Sequence, residues 1–236
     1  MKKAVFFDLD GTLLPLDMPL FTQLYFEAIE DCGLMRRIHP TDGNEIFGKA
    51  VYAMLANNGQ GTNADVFFDT VERYSSLRRE DFLALMDKFY NGEYKSIRQS
   101  ATEESRVPVI IRTLKEKGYR LILSTQPLFP AIATNQRVEW AGLSPDDFEY
   151  ISYYDNSSFA KPNPGYFLEI LQKTGLRADE CYMIGNDVKE DMAAVELGFT
   201  GFLLTDHMIG DMEQAPQCQK GDYSALEQFA RNLPPI

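Results

Sequence analysis

The sequence predicts an α/β protein, in which a doubly wound parallel sheet carries an all-helical domain inserted after its first strand. Two observations predict this fold class. Short apolar runs alternate with helical patterns through most of the chain, and this alternation is typical of parallel βαβ units. The stretch from residue 17 to residue 97 breaks the alternation, because it contains helical patterns with no convincing strand between them.

Five apolar runs have the length and composition of buried strands. The first, at residues 4–8, reads Ala-Val-Phe-Phe-Asp and is ended by Gly11. Strands of a parallel sheet are covered on both faces, so their sequences are continuously apolar rather than alternating. The other four predicted strands are Tyr119–Ser124, Phe148–Tyr153, Glu180–Ile184 and Gly201–Leu204.

Three helical patterns lie between these strands and supply the crossovers that parallel strands require. Each is followed by a glycine, which favours the left-handed backbone at the end of a helix. The three predicted helices are Val107–Lys117 before Gly118, Pro164–Lys173 before Gly175, and residues 188–197 before Gly198.

The inserted block contains four helical patterns separated by loop sequences. The patterns cover about residues 19–32, 44–57, 63–77 and 79–90, and the loops are Asn58-Gly59-Gln60-Gly61 and Asn91-Gly92. We therefore predict a core domain formed by residues 1–16 and 98–236, and a helical cap domain formed by residues 17–97.

Composition indicates a folded, soluble protein and excludes several classes of function. The 236 residues include 23 Lys and Arg against 35 Asp and Glu, a net charge of −12, and 44% are hydrophobic. This chain is too apolar for disorder, and it lacks the basic field that a nucleic-acid site needs. No segment approaches the roughly 18 apolar residues of a membrane span, so we expect neither nucleic acid nor membrane as a partner.

The cysteines and the first residues predict a cytoplasmic location. Cys32, Cys181 and Cys218 are odd in number and widely spaced, so neither a disulfide framework nor a zinc site is expected. The apolar run after the two N-terminal lysines ends at Asp8, which is too short for a signal peptide. We expect reduced thiols in a cytoplasmic protein.

Polar and charged residues follow the predicted strands where the strands end. Ligands of an open parallel sheet bind outside the carboxyl ends of its strands, so these residues are expected to converge on one edge. The segments are Asp8-Leu9-Asp10-Gly11-Thr12, Ser124-Thr125-Gln126-Pro127, Lys161-Pro162-Asn163-Pro164 and Gly185-Asn186-Asp187-Val188-Lys189-Glu190-Asp191.

This set of residues fits phosphoryl transfer through a covalent intermediate. The carboxylate of Asp8 can serve as a nucleophile, and Asp10 can protonate the leaving oxygen and then deprotonate water. Clustered carboxylates and a phosphate dianion repel one another, so a cation is required, and the oxygen ligands suit Mg²⁺. Thr125 can donate a hydrogen bond to a phosphate oxygen, and Lys161 can offset the developing negative charge.

The order of these motifs resembles that of the haloacid dehalogenase superfamily. Asp8-x-Asp10-Gly11-Thr12 matches the first motif, Thr125 the second and Lys161 the third; Gly185-Asn186-Asp187 with Asp191 matches the acidic fourth motif. The resemblance covers residues 1–16 and 98–236. It implies a Rossmann-like core, and the helical insert resembles a cap of the first type.

The resemblance implies a role for each matching residue. Asp8 is the expected nucleophile and Asp10 the expected general acid and base. Mg²⁺ is expected on the Asp8 side chain, the Asp10 main-chain carbonyl and Asp187. Thr125 and the backbone N–H of Gln126 are expected to bind the phosphoryl group, and Lys161 to link phosphate and nucleophile.

Three further residues are expected to support the site without touching the phosphoryl group: Asp191, Asn186 and Thr12. Asp191 lies four residues after Asp187 and shares its face if residues 187–197 are helical. A role in orienting Lys161 is favoured over a water-mediated contact with the metal.

Two positions, Asp10 and Gln126, can be compared with the usual residues of the superfamily. The superfamily's phosphatases carry an aspartate at the position of Asp10 and its carbon–halogen hydrolases do not, so phosphate chemistry is expected. Gln126 departs from the Asn that commonly follows the Thr or Ser of the second motif. This change is mild if the backbone does the binding, and Ser124 is the alternative to Thr125.

We therefore predict a Mg²⁺-dependent phosphatase of a small phosphorylated metabolite. The alternatives are a phosphomutase on the same scaffold, a response-regulator receiver and a catalytically silent phosphate-binding protein. The chain length and the helical insert disfavour the receiver, and the intact set of motif residues disfavours the silent protein. Specificity is expected to reside in the cap, where Lys49, Asn57 and Asn58 are candidates. Neither the substrate nor the oligomeric state is predicted.

Overall fold

The computed structural model describes residues 2–236, which form a six-stranded, all-parallel sheet with helices on both faces. The strand order is β3-β2-β1-β4-β5-β6, so the order reverses between β1 and β4. The strands are β1 Ala4–Phe7, β2 Arg120–Leu123, β3 Tyr150–Ile151, β4 Cys181–Gly185, β5 Thr200–Leu204 and β6 Gln219–Gly221. Reversal at the centre of the sheet creates the crevice in which ligands of doubly wound folds bind.

A helical block lies between β1 and β2 in the chain. Its α-helices are α1 Met18–Asp31, α2 Leu34–Ile38, α3 Gly43–Leu55, α4 Asn63–Tyr74 and α5 Arg79–Asn91, followed by a 3-10 helix at Glu93–Ser100. Local sequence fixes several of the ends. Asp17 caps α1 through the backbone N–H of Leu20, and Thr62 forms a capping box with Asp65 at the start of α4.

Five more α-helices follow the block and cover the sheet. They are α6 Arg106–Glu116, α7 Ala131–Trp140, α8 Pro164–Thr174, α9 Ala193–Glu196 and α10 Tyr223–Asn232. None of the helices within residues 2–236 is both long and apolar enough to cross a membrane. Cys32, Cys181 and Cys218 are all free thiols.

The central strand β1 contributes to apolar clusters on both faces of the sheet. Val5 and Phe7 join one cluster, whereas Ala4 and Phe6 join the other, because successive side chains of a strand point to opposite faces. The cluster of Val5 and Phe7 is continuous with the apolar interior of the helical block, including Phe67. Cap and core therefore share one hydrophobic core on this face.

The predicted fold class is confirmed: a parallel sheet with an all-helical insert after its first strand. The five predicted strands are present, although Phe148–Tyr153 shortens to the two residues of β3. The edge strand β6 was not predicted, because Gln219-Lys220-Gly221 pairs only with β5 and has no apolar run to signal it. The proposed domain boundaries, 1–16 with 98–236 and 17–97, stay predictions.

One predicted helix is wrong over half its length. Residues 188–197 were expected to be helical, but only α9 is α-helix and residues 188–192 form turns. The reason is local hydrogen bonding from both ends of this stretch. Asp187 Oδ1 accepts from the backbone N–H groups of Lys189 and Glu190, at 2.7 and 2.8 Å. Asp191 Oδ2 accepts in the opposite direction from the backbone N–H groups of Asn186 and Asp187, so the stretch closes as a turn.

Candidate active site

The carboxyl ends of β1, β2 and β4 lie side by side, which places their motif residues together. In the register of the sheet, Phe7 pairs with both Leu123 and Ile184. The backbone ladder continues one residue further, since Asp8 N–H donates to the Ile184 carbonyl at 2.9 Å. Asp8 is therefore held rigidly at the switch point between the two halves of the sheet.

Lys161 joins Asp8 to Asp191 in a buried cluster of three charges. Its Nζ donates to Asp8 Oδ1 at 2.8 Å and to Asp191 Oδ1 at 2.6 Å, and all three residues are buried. Burial alone would lower the pKa of Lys161, but the two carboxylates outweigh it and hold that pKa well above its usual value. Lys161 is thus a permanent cation beside the predicted nucleophile.

Asp191 is held by the turn after β4 as well as by Lys161. Its Oδ2 accepts hydrogen bonds from the backbone N–H groups of Asn186 and Asp187, both at 3.0 Å. A Cβ at Gly185 would lie 2.3 Å from the same oxygen, so this position requires glycine. Both carboxylate oxygens of Asp191 thus have protein donors, as expected for a residue that orients Lys161.

The side chain of Gln126 holds the backbone of Lys161. Lys161 N–H donates to Gln126 Oε1 at 3.0 Å, and Gln126 Nε2 donates to the Lys161 carbonyl at 3.1 Å and to Glu190 at 3.0 Å. The sequence analysis considered only the backbone of Gln126. The structure gives its side chain a second task, which accounts for a longer amide at this position than the usual Asn.

The two hydroxyls after β2 have different surroundings. Ser124 donates to the Phe7 carbonyl at 3.2 Å, and it is completely buried. The hydrogen bonds of Thr125 to other side chains within residues 2–236 use its carbonyl, which accepts from Ser152 at 2.8 Å and Tyr166 at 2.7 Å, and not its hydroxyl. The Thr125 backbone is therefore fixed while its hydroxyl remains available, which favours Thr125 over Ser124 as a phosphate donor.

Thr12 and Asn186 fasten the first motif to the fourth. The Thr12 hydroxyl donates to Asn186 Oδ1 at 2.9 Å, and Asn186 Nδ2 donates to the His207 carbonyl at 2.6 Å. Gly11 has a φ of +84°, and a Cβ there would lie 2.3 Å from Asn186 Nδ2. Glycine is needed at this turn for both its backbone conformation and the close approach of Asn186.

Asp10 forms an ion pair that the sequence analysis missed. Its Oδ2 accepts a hydrogen bond from Nη1 of Arg137, a residue of α7 with a side chain only 1% exposed. The guanidinium also lies over the ring of Phe129, 4.4 Å from the ring centroid. Burial raises the pKa of Asp10, and the Arg137 cation opposes that rise. Nothing in the local sequence distinguishes Arg137 from a surface arginine.

The predicted magnesium ligands offer suitable atoms. The hydrogen bonds of Asp8 and Asp187 use Oδ1 in each case, so within residues 2–236 both Oδ2 atoms lack a protein donor. No three His, Cys, Asp or Glu side chains of residues 2–236 are placed so that together they could hold a metal ion. Two carboxylates with the Asp10 carbonyl match Mg²⁺, which is commonly held by one or two carboxylates, phosphate and water. The donor set therefore fits the ion.

The three cap residues that were expected to determine substrate specificity are either exposed or engaged in structural hydrogen bonds. Lys49 and Asn58 are exposed. Asn57 is buried and donates to Asn63 Oδ1 at 2.9 Å, and Asn63 Nδ2 in turn donates to the Pro127 carbonyl at 3.1 Å. Asn57 and Asn63 thus anchor the start of α4 to the loop after β2, a structural role that the sequence did not predict.

Similarity to known proteins identifies the family of this chain. The sequence profile of the haloacid dehalogenase-like hydrolases matches residues 2–198. The chain belongs to this family and is an enzyme of it. The resemblance stated from the motifs is confirmed, whereas the cap type and the roles of individual residues stay predictions.

The chain is similar to a named phosphatase in sequence and to a named dehalogenase in fold. The glyceraldehyde 3-phosphate phosphatase of Methanothermobacter thermautotrophicus is 26% identical over 215 residues, which are 88% of each chain. A 2-haloacid dehalogenase from Pseudomonas syringae pv. tomato DC3000 has a TM-score of 0.62 at 18% identity, covering 98% of this chain and 99% of its own.

A third relative was solved with a metal. The HAD-hydrolase YfnB from Bacillus subtilis, bound to magnesium, has a TM-score of 0.58 at 17% identity. The match covers 98% of this chain and 99% of YfnB. At these identities the structural likenesses establish the fold alone.

The ion pair between Arg137 and Asp10 predicts a specific pattern of stability. Arg137→Met leaves the Asp10 carboxylate without its cation, so we expect the free energy of unfolding to fall by about 3–5 kcal/mol. In an Asp10→Asn background the same substitution should cost much less, because no charge is left unpaired. Urea denaturation of the four proteins of this double-mutant cycle measures the difference.

The control is Arg112→Met, which removes an exposed arginine from α6 and should change stability by no more than about 0.5 kcal/mol. An equal cost of Arg137→Met with Asp or Asn at position 10 would mean that the two side chains are not coupled.

Proposed function

We propose that this enzyme is a Mg²⁺-dependent phosphatase of small phosphomonoesters, which forms an aspartyl phosphate on Asp8. The observation that carries the proposal is the pairing of Asp8 with the buried Lys161 at the switch point of the sheet, with Asp10 two residues further on. The resemblance to a protein named as a phosphatase of glyceraldehyde 3-phosphate supports it. That substrate is itself a small phosphomonoester.

In the first step, a carboxylate oxygen of Asp8 attacks phosphorus and the bond from phosphorus to the ester oxygen breaks. The leaving oxygen takes a proton from Asp10, so that it departs as an alcohol. The raised pKa of Asp10 favours the protonated form that this step requires. The ammonium of Lys161 donates to the Asp8 carboxylate and stabilises its negative charge.

Lys161 and Thr125 hold the transferred group. The ammonium of Lys161 lies 2.8 Å from Asp8 Oδ1 and is charged throughout, so it offsets the negative charge that gathers around phosphorus. The free hydroxyl of Thr125 and the backbone N–H of Gln126 donate to phosphate oxygens. Asp191 and the Gln126 side chain keep Lys161 in place through both steps.

In the second step, water attacks the aspartyl phosphate. Asp10 is now a carboxylate and accepts a proton from the water. The water oxygen bonds to phosphorus as the bond from phosphorus to Asp8 breaks. The products are inorganic phosphate and regenerated Asp8. The same residue therefore serves as acid and then as base, and Arg137 keeps its side chain oriented in both states.

Asp8, the Asp10 carbonyl and Asp187 would hold the magnesium ion. When bound, the ion supplies positive charge that offsets repulsion between the carboxylates and the phosphate dianion. The solved structure of YfnB, which is bound to magnesium, supports the choice of ion.

Asp10 separates this proposal from dehalogenation, since a halide leaving group needs no proton. A phosphomutase would share the first step and pass the phosphoryl group to a sugar hydroxyl. It would require a bisphosphorylated activator and release little free phosphate, so product analysis over time distinguishes the two.

We expect Asp8→Asn to abolish phosphate release from a panel of phosphomonoesters in the presence of Mg²⁺. The amide is nearly isosteric but is not a nucleophile, so the fold should persist while turnover falls by at least about 10³-fold. The assay is phosphate release, with near-UV circular dichroism to verify the fold. Substantial turnover by a folded variant, with unchanged Mg²⁺ dependence, would reject Asp8 as the nucleophile.

For Asp187→Asn we expect weaker metal dependence before any other defect. Replacing a carboxylate ligand by an amide removes one negative charge from the site, so the Mg²⁺ concentration for half-maximal activity should rise at least about tenfold. The matched control is Asp179→Asn, an exposed residue before β4 at the opposite edge of the sheet. A metal titration that is the same in both variants would count against Asp187 as a ligand.

A further inference from the structure

A cavity of about 240 Å³ lies between the cap helices and the loop that follows β2. Its walls are strongly aromatic: Phe21, Phe47, Phe67 and Phe82 come from the cap, and Phe129 comes from the core. The predicted catalytic residues do not line it, and the proposed mechanism assigns it no task.

The rings of the cavity wall are arranged edge to face. Phe67 lies 5.5 Å from Phe47 and 5.4 Å from Phe82 between ring centroids, and Phe129 lies 6.1 Å from Phe21. All three pairs are T-shaped, the geometry that aromatic rings prefer. The wall therefore presents both ring faces and ring edges, and one further ring can pack against it in the same way.

The cavity is joined to the predicted site through Arg137. The Arg137 guanidinium lies 4.4 Å from the Phe129 ring centroid and 5.8 Å from that of Phe21, and it pairs with Asp10 on its other side. One side chain, that of Arg137, thus contacts both the cavity wall and the predicted acid–base residue.

The volume of the cavity is sufficient for an aromatic ring and the short alkyl chain attached to it. An apolar cavity of about 150 Å³ is sufficient to bind benzene, and this one is larger. Its lining includes the exposed residues Thr22 and Phe26 of α1, so a ligand can enter from solvent. The lining hydroxyls are few, those of Thr22, Tyr25, Tyr90 and Tyr154, and the Tyr25 and Tyr90 hydroxyls already bond each other at 3.1 Å. A polar sugar would therefore leave most of its hydroxyl groups without partners against these walls.

We propose that this cavity binds an apolar, ring-bearing group in the alcohol part of the substrate. The enzyme would then prefer phosphomonoesters of alcohols that carry an aromatic ring. The proposal rests on the proposed phosphatase activity. Phosphate would lie at Asp8, the ester oxygen at Asp10 and the ring between the cap and Phe129. Selectivity then arises from burial of the ring rather than from hydrogen bonds to the alcohol.

The test compares two esters that both leave as primary alcohols: 2-phenylethyl phosphate and glycerol 1-phosphate. Two substitutions fill the cavity from different walls, Thr22→Trp on α1 and Val51→Trp on α3. Each has a matched control at the next residue, Gln23→Trp and Tyr52→Trp, since both neighbours are exposed and neither lines the cavity.

We expect the wild-type enzyme to have at least about tenfold higher kcat/KM for 2-phenylethyl phosphate than for glycerol 1-phosphate, because burying one ring is worth about 1.5–3 kcal/mol. Both filling variants should lose that preference through a higher KM for the aromatic ester. Their activity on glycerol 1-phosphate and both controls should stay near wild type. Equal kcat/KM for the two esters in the wild-type enzyme would overturn the proposal. An unchanged preference for the aromatic ester in both Thr22→Trp and Val51→Trp would overturn it as well.

A binding measurement separates the cavity from the catalytic proposal. Ligand-observed NMR with 2-phenylethanol, which carries no phosphate, should detect binding to the wild-type protein and to both controls but not to the filled variants. Absence of binding to the wild-type protein would overturn the cavity assignment even if esters are hydrolysed. Selective binding of the alcohol without hydrolysis of any ester would support the cavity and reject the phosphatase.

Discussion

The buried ammonium of Lys161 between Asp8 and Asp191 is the interaction on which the rest of the site depends. A charge in the interior is tolerated only when it is paired, so the three residues must be placed together. Asp191 also accepts hydrogen bonds from two backbone N–H groups of the turn after β4. Gln126, in the loop after β2, accepts a hydrogen bond from the Lys161 backbone N–H. One cation thereby fixes the ends of β1, β2 and β4 relative to one another.

A second buried ion pair acts on the other aspartate of the first motif. Asp8 forms an ion pair with Lys161 from the loop before α8, whereas Asp10 forms one with Arg137 of α7. The two carboxylates are only two residues apart in the chain, but each has its own cation. This separation matches two different tasks, nucleophile and proton carrier. Arg137 also packs on Phe129, a residue of the aromatic wall that the cap completes. The predicted acid–base residue and the cavity are thus linked by one side chain.

Much of the fold was predictable, because apolar runs mark strands buried on both faces and glycines mark helix ends. The site was predictable to the extent that strand ends converge: Asp8, Thr125, Lys161 and Asp191 all lie where the topology requires. What the sequence could not reveal depends on tertiary contact. Arg137 is one arginine in an amphipathic helix, β6 has a polar sequence, and the cavity forms only when distant helices pack. The turn at residues 188–192 was mistaken for helix because its hydrogen bonds to the side chains of Asp187 and Asp191 form only in the folded loop.

The central claim is that Asp8 carries the phosphoryl group, and trapping that group tests it most directly. The enzyme is quenched in acid during turnover of a phosphomonoester with Mg²⁺, and the acyl phosphate is reduced with borohydride, which converts a phosphorylated aspartate to homoserine. Peptide mass mapping should then find homoserine at position 8 and an unmodified aspartate at Asp10. Turnover without modification at position 8, or with homoserine at another aspartate, would contradict the account.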